Sequence, residues 1–221
     1  MSLVQADPGR PSQVSDAYSA WSATYDHNPN RTRDLDQTVT RHLLGQRRFD
    51  RILELGCGTG KNTGLLADIG RQVIALDFSD GMLALARTKV QAPHVDFLQA
   101  DLLLPWPEAT AGCDLVVCNL VLEHIEHLAP VLAQAAQALV AGGMLLLCEL
   151  HPHRQYQGTQ ARFTDTNGQQ VLVPAYLHHV SDYFAAALAA GLIVSRLDEW
   201  WHGEDQGLPP RLLSLCCHKP A

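Results

Sequence analysis

The chain of 221 residues has few positive charges, with 16 Lys and Arg against 23 Asp and Glu and a net charge of −7. No run of Lys or Arg is long enough to follow a phosphate backbone, so a nucleic acid is not expected as the main partner. No stretch reaches the roughly 18 consecutive apolar residues of a membrane span. Residues 1–16 lack the apolar core of a signal peptide. These absences predict a cytoplasmic protein with no membrane span.

Cysteines are also few and irregularly placed. The six show no C-x-x-C pair and no disulfide framework, so free thiols packed as small hydrophobes are expected. Neighbouring residues of a strand point to opposite faces, which argues against a disulfide between Cys216 and Cys217. The six are Cys57, Cys113, Cys118, Cys148, Cys216 and Cys217.

The length suits one α/β domain with a full core. Two prolines and a glycine within residues 1–12 predict a flexible tail, which leaves 13–221 as a single domain. Two helices are expected over 13–45, where they would form a lid.

Strand-like and helical segments alternate from residue 51 to residue 150. Strands that are apolar on both faces predict a Rossmann-like parallel sheet with helices on both sides. A long helix is expected from Leu122 to Val140, before the last of these strands. The strands are predicted at 51–55, 72–77, 95–100, 113–120 and 143–150.

The alternation stops after residue 150. Residues 151–180 are interpreted as a cap insertion with a β-hairpin, because Asn167-Gly168 is a strong two-residue turn signal between alternating segments. A helix should follow, capped by Ser181 and ended by Gly191. The last two strand-like segments are too close for a crossover helix, so they should pair antiparallel and complete seven strands.

The segment Ile52–Gly60, "ILELGCGTG", places glycines at every second position after a strand. A pyrophosphate-binding turn has the spacing G-x-G-x-x-G, so this turn differs. Glu54, just before it, suits a cationic ligand better than a pyrophosphate. A ligand with an ammonium group and a carboxylate fits, and S-adenosylmethionine is such a ligand. Asp77 could accept the ribose hydroxyls, and Asp101 an adenine amino group.

Four motifs in order, "LELGCGTG", "ALDFS", "QAD" and "CDLVVCNLVLEHI", resemble those of class I S-adenosylmethionine-dependent methyltransferases. The resemblance runs from about Tyr18 to the C-terminus. Residues 177–199 are similar to the small-molecule branch called type 11, akin to ubiquinone/menaquinone C-methylases. The resemblance implies methyl transfer by direct in-line displacement, with S-adenosylhomocysteine as the product.

The resemblance also implies a cofactor set at the ends of the strands. For the methionine part, it implies Gly56, Cys57, Gly58 and Gly60, with Glu54 nearby. For the ribose, it implies Asp77. On either side of the adenine it implies Phe78 and Met82, and at the adenine edge Asp101 and Leu102. Beside the sulfonium and the acceptor entrance, it implies Asn119 and Leu120. No D/N-P-P-Y/F signature accompanies Asn119, which argues against nucleobase methylation.

Residues on either side of the predicted hairpin are candidates for acceptor chemistry. A histidine pKa lies near neutral, so these side chains could act as a base or contact the acceptor, although a surface cluster is an alternative. Their spacing is not that of a regular metal site, so no metal is expected. Arg154 could pair with an acceptor carboxylate. Tyr156, two residues later, is a further candidate for contact with the acceptor. The histidines are His151, His153, His178 and His179.

Tyr18, Trp21 and Tyr25 recur at helical spacing. They form either a core-facing surface of one helix or an aromatic lining of the acceptor pocket, where a ring face favours a nearby cation. Glu123 and His124 resemble a catalytic pair, but packing near the cofactor in the first helical turn is the preferred interpretation.

Two other functions stay open. One is a non-catalytic cofactor-binding or regulatory protein. The other is a nicotinamide- or flavin-dependent oxidoreductase, which the glycine spacing, Glu54 and the antiparallel last strand oppose. The acceptor atom, the use of a base and the oligomeric state are not indicated by the sequence.

Overall fold

The computed structural model describes residues 14, 17–19, 21–22, 25–26, 30–164 and 168–221. The strands among them are β1 (Phe49–Leu55), β2 (Gly70–Asp77), β3 (Val95–Gln99), β4 (Cys113–Asn119), β5 (Leu139–Leu150), β6 (Arg162–Thr164), β7 (Gln170–Leu172), β8 (Ile193–Trp200) and β9 (Leu212–His218). Seven of these strands form one sheet in the order β3-β2-β1-β4-β5-β9-β8, and β6 and β7 form a separate hairpin.

The sheet is parallel from β3 through β5, and β9 runs antiparallel to both β5 and β8. The predicted seven-stranded architecture with an antiparallel last strand is therefore confirmed. All six cysteines are free and buried, as expected. None of the helices among the described residues combines the length and apolar character needed to cross a membrane.

Helices cover both faces of the sheet. They are α1 (Arg31–Leu44), α2 (Thr63–Ile69), α3 (Asp80–Lys89), α4 (Leu128–Ala138), α5 (Pro152–Tyr156) and α6 (Val180–Ala189). One apolar cluster joins Leu53 and Leu76 to α4 and α6, and another joins Ile52 and Val73 to α1 and α2. This two-sided burial explains why the strands are continuous apolar runs in the sequence. The described residues between 14 and 25 are also helical.

The predicted long helix over 122–140 is wrong. The structure has a short 3₁₀ turn at Leu122–His124, an extended Ile125, and only then α4. Pro130 accounts for the break, because a proline in a helix interior removes a hydrogen bond and clashes with the preceding turn, whereas the first turn tolerates it. Glu123 and His124 consequently belong to a separate turn after β4.

The expected Ser181 cap is also wrong. His179 precedes α6, and its backbone N–H donates to the Asp182 carboxylate at 2.8 Å. Gly191 follows the helix with φ 76°, as a C-terminal glycine should. In the cap insertion, β6 and β7 pair antiparallel, while the predicted turn residue Asn167 and the predicted tail at 1–12 lie outside the described residues.

Asn30 begins α1, because its side-chain oxygen accepts from the N–H groups of Thr32 (3.0 Å) and Arg33 (3.1 Å). We expect Asn30→Ala to lower the free energy of unfolding by about 1 kcal/mol, since two N–H groups of the first turn lose their acceptor. Urea unfolding checks this. Asn30→Asp is the control, because it keeps the acceptor, and equal stability of all three proteins would contradict the capping role.

Candidate active site

A cavity of about 390 Å³ lies at the carboxyl ends of β1, β2 and β4. Pockets of this size hold small molecules, and the carboxyl edge of an open α/β sheet is their usual location. Leu55, Asp77 and Asn119, which end or follow these three strands, contribute to its wall. The topology of the sheet therefore brings separate sequence motifs to one site.

The glycines after β1 serve different purposes. Gly56 and Gly58 both have positive φ, at 68° and 54°. A Cβ atom at Gly56 would lie 2.3 Å from Val121 Cγ2, whereas one at Gly58 would meet nothing within 4 Å. Gly60 does not line the cavity and packs against Ala86 of α3 instead. The turn is thus closely packed at Gly56 and open at Gly58, where a ligand can approach the backbone.

Asp77 holds this turn in place. Its carboxylate accepts from the N–H of Gly58 at 2.8 Å and from the N–H of Ser79 at 2.9 Å. Burial raises the pKa of Asp77, although these two N–H groups oppose the shift. Asp77 therefore couples the end of β2 to the glycine turn and still lines the cavity.

Four polar residues form one part of the cavity wall, which we call the polar wall. Asp36 accepts from the amide nitrogens of Asn62 (2.7 Å) and Asn119 (2.8 Å). Thr63 Oγ1 donates to Glu54 at 2.6 Å. Burial raises the pKa of Asp36 to about 6 and that of Glu54 to about 8. The polar wall consists of Asp36, Glu54, Asn62 and Asn119.

Another part of the wall is aromatic, which we call the aromatic wall. Tyr18 lies 6.1 Å from Tyr25 and 6.4 Å from Phe78 between ring centroids. The Arg33 guanidinium lies 3.9 Å from the Tyr25 ring centroid and donates to the Tyr25 carbonyl. Trp21 stacks on Tyr18 but does not line the cavity. The aromatic wall consists of Tyr18, Tyr25 and Phe78.

His124 connects this aromatic wall to the segment after β7. Its Nδ1 lies 2.7 Å from the Pro174 carbonyl, and its Nε2 lies 2.9 Å from the Tyr18 hydroxyl. A carbonyl only accepts, so Nδ1 carries the proton, and Nε2 of the neutral ring accepts from Tyr18. Burial raises the pKa of Tyr18 well above its usual value. Tyr18 and His124 form a hydrogen-bonded pair that lines the cavity.

Most of the predicted cofactor set meets at this cavity. Asp101 accepts from the N–H of Leu103 at 2.9 Å. Leu120 adopts φ 57°, an uncommon conformation for a branched residue and one that occurs at functional sites. The predicted cofactor residues on the wall are Glu54, Gly56, Cys57, Gly58, Asp77, Phe78, Met82, Asp101, Leu102, Asn119 and Leu120.

The four predicted histidines do not lie on the cavity wall. His151 donates to Glu199 at 3.0 Å and accepts from the N–H of His153. His178 is buried and donates to the Ile125 carbonyl at 2.7 Å. His179 precedes α6 and bonds the Tyr156 hydroxyl. Their observed partners are protein groups, which leaves the expected acceptor contact without geometric support.

Arg154 and Tyr156 are likewise away from the cavity. The buried Arg154 guanidinium lies 3.1 Å from Asp205 and donates to the Pro209 carbonyl at 2.8 Å. The expected pairing with an acceptor carboxylate is replaced by this internal anchor of the loop before β9. Tyr156 is largely exposed.

Sequence reasoning missed Arg33 and Asp36 of α1. Both are buried and line the cavity. The buried Thr40 lies one helical turn after Asp36 on the same face of α1. Charged residues on the buried face of an amphipathic helix were the available signal. Among the described residues, no group of three or more His, Cys, Asp or Glu side chains is placed to hold a metal ion.

The family model described as a methyltransferase domain matches residues 53–147. An uncharacterized methyltransferase of Emericella nidulans is 31% identical over an alignment of 224 positions. The alignment covers 84% of this chain and 78% of that protein. A demethylmenaquinone methyltransferase of Clavibacter sepedonicus is 30% identical over 154 residues, covering 66% and 62%. A malonyl-[acyl-carrier protein] O-methyltransferase of Enterobacter lignolyticus is 37% identical over 124 residues. The match covers 56% of this chain and 47% of that protein.

Solved structures share the fold. The DhpI–SAH complex has a TM-score of 0.73 at 22% identity, covering 97% of this chain and 99% of that one. The N-methyltransferase NodS of Bradyrhizobium japonicum, in complex with S-adenosyl-L-homocysteine, has a TM-score of 0.69 at 16% identity, covering 95% and 100%.

Proposed function

The chain belongs to the class I S-adenosylmethionine-dependent methyltransferases, and we propose that it methylates a small molecule bound in the cavity at the ends of β1, β2 and β4. The observation that carries this proposal is the joint placement of Gly58, Asp77 and Asn119 around one cavity of about 390 Å³. The relative named for demethylmenaquinone favours an acceptor of small-molecule size.

The residues present fit S-adenosylmethionine. A Cβ atom at Gly58 would enter open space, so its absence leaves room beside the turn. Asp77 offers a buried carboxylate of the kind that accepts ribose hydroxyls. The amide oxygen of Asn119 is buried without a hydrogen-bond partner among the described residues, so it can accept from a ligand. When bound, the cofactor supplies an activated methyl group on its sulfonium.

The chain's own contribution to the transfer is orientation and exclusion of water. The aromatic wall and the apolar side chains of Met82 and Leu102 border the cavity and limit its hydration. Holding two reactants in line can supply several kcal/mol, and roughly 7–11 kcal/mol in the best cases. A rigid, partly apolar cavity is suited to this task.

Tyr18 and His124 are the residues we propose for proton removal, in place of the four histidines outside the cavity wall. An acceptor O–H or N–H next to the Tyr18 oxygen can pass its proton to that oxygen as the Tyr18 proton moves to His124 Nε2. Glu123 Oε1 lies 3.9 Å from Nε2 and stabilises the resulting imidazolium. A positioned base of this kind contributes about 10²–10⁴-fold.

Calorimetric titration with S-adenosylmethionine, S-adenosylhomocysteine and NADH tests the cofactor assignment. We expect micromolar binding of the first two and no binding of NADH. The acceptor class is then sought by transfer of a labelled methyl group to a phenol, a quinol, a carboxylic acid and an amine. Binding of NADH alone would contradict the proposal. Cofactor binding without transfer to any acceptor class would favour a non-catalytic binding protein.

A further inference from the structure

The polar wall carries two buried carboxylates, and the cations that share the cavity, Arg33 and Lys61, form no ion pair with them among the described residues. Asp36 and Glu54 are each 4% exposed, and neither forms an ion pair within the part of the chain that the structure describes. Lys61 is paired with Asp34 on the exposed side of α1. Buried carboxylates usually have a paired charge or a full set of hydrogen-bond donors.

The hydrogen-bond donors of Asp36 carry no charge, although the charge of Lys61 lowers the pKa of Asp36 without a direct contact. Both of its oxygens accept from amide nitrogens, of Asn62 and Asn119, and amides carry no charge. Burial raises the pKa of Asp36 to about 6 even with these bonds. A cation brought to this place would relieve the cost of desolvating the carboxylate.

The same two amides present unused acceptors. Asn62 is 7% exposed, and its Oδ1 is buried with no hydrogen-bond partner among the described residues. The Oδ1 of Asn119 is likewise buried with no hydrogen-bond partner among these residues. Each amide nitrogen is committed to Asp36, which orients the amide and leaves its oxygen for a donor. Buried unsatisfied oxygens in a cavity wall indicate a site for a ligand that donates hydrogen bonds.

We propose that Asp36, with the amide oxygens of Asn62 and Asn119, binds the ammonium group of the cofactor's amino-acid part. A primary ammonium has three N–H donors and no acceptor. The three side chains offer a carboxylate and two carbonyl oxygens to match it. The inference rests on the proposed function, because it places the S-adenosylmethionine of that proposal in this cavity.

Helix α1 is therefore part of the cofactor site. Asp36 lies on its buried face, with Thr40 one turn further on, and Thr40 Oγ1 accepts from Asn119 at 2.7 Å. The helix thus reaches the end of β4 through two hydrogen bonds to one amide. This arrangement fixes Asn119 independently of the ligand.

The test compares two probes in calorimetry. S-adenosylhomocysteine has the ammonium group, whereas 5′-methylthioadenosine has the same adenosine and thioether without the amino-acid part. We expect Asp36→Asn to weaken S-adenosylhomocysteine binding about 10- to 100-fold, since a charge-assisted hydrogen bond is lost. The affinity for 5′-methylthioadenosine should stay within about twofold, which also shows that the variant is folded. Asp68→Asn is the matched control, because it makes the same change on an exposed part of α2 that does not line the cavity.

Two results would overturn the inference. The first is an unchanged affinity of Asp36→Asn for S-adenosylhomocysteine. The second is an equal loss of affinity for both probes, which would mean a structural role. Absence of S-adenosylhomocysteine binding in the unsubstituted protein would instead refute the proposed function.

Discussion

Asp77→Ala is expected to weaken S-adenosylhomocysteine binding by about 100-fold or more. The substitution removes a buried carboxylate placed to accept from the ribose, and hydrogen bonds to charged groups contribute about 1.5–3 kcal/mol each. It also frees the N–H groups of Gly58 and Ser79, which Asp77 holds at 2.8 and 2.9 Å. The glycine turn should therefore loosen at the same time. Calorimetric titration of the variant gives the affinity directly.

Two variants accompany this measurement. Asp80→Ala removes an exposed carboxylate three residues further on, in the first turn of α3, and should leave the affinity unchanged. Asp77→Asn keeps the size of the side chain and one acceptor oxygen, so an intermediate loss is expected. Full binding by Asp77→Ala would show that the ribose does not rest on Asp77.

Glu54→Gln is expected to stabilise the cofactor-free protein at pH 8 by about 2–4 kcal/mol, from the difference between the folded and unfolded pKa values. The folded protein raises the pKa of Glu54 from its ordinary 4.5 to about 8, mainly by burial, while the charges of Asp36 and Asp77 add to the rise. Folding therefore favours the protonated carboxyl. The stability that protonated Glu54 contributes to the folded protein is complete below pH 4.5 and is lost as the pH rises through about 8.

Urea unfolding of both proteins between pH 4 and pH 9 measures the effect. The free energies of unfolding should converge near pH 4 and separate as the pH rises, because glutamine does not ionise. Thr63→Val is a useful companion, because Thr63 Oγ1 donates to Glu54 at 2.6 Å and its loss should raise the pKa further. A constant difference between Glu54→Gln and the unsubstituted protein across this pH range would contradict a raised pKa at Glu54.

Much of the fold could be predicted because local signals and the global sheet agree. Gly70 ends α2 and Ser79 begins α3 as their residue types indicate. The prediction failed at Leu122–His124, where an apolar run suggested a continuous helix. Pro130 was the overlooked signal there, since a proline fits the first turn of α4 but not the interior of a continuous helix over 122–140.

The meeting of the predicted cofactor residues at one cavity followed from strand ends, because parallel topology brings these ends together whatever the loops do. The positions of the predicted acceptor histidines did not follow in this way. His178 donates to the Ile125 carbonyl 53 residues away, and His151 donates to Glu199 48 residues away. Such pairings depend on how the segment after β5 packs on the sheet, which residue spacing does not encode.

The polar residues on the buried side of α1 were missed for a different reason. The helical spacing of Leu35 and Val39 indicates an apolar buried side, and both residues are buried. Arg33 and Asp36 are buried as well, because the polar cavity lies next to the apolar core. A charged residue on a predicted core face therefore deserves a functional hypothesis, even where no motif surrounds it.

A crystal structure of the protein with S-adenosylhomocysteine tests where the cofactor binds. We expect the ligand in the cavity at the ends of β1, β2 and β4, with the ribose on Asp77, the ammonium group on Asp36 and the sulfur facing the space beside Tyr18 and His124. A ligand bound outside this cavity, or one whose adenosine contacts neither Asp77 nor Asp101, would contradict this placement.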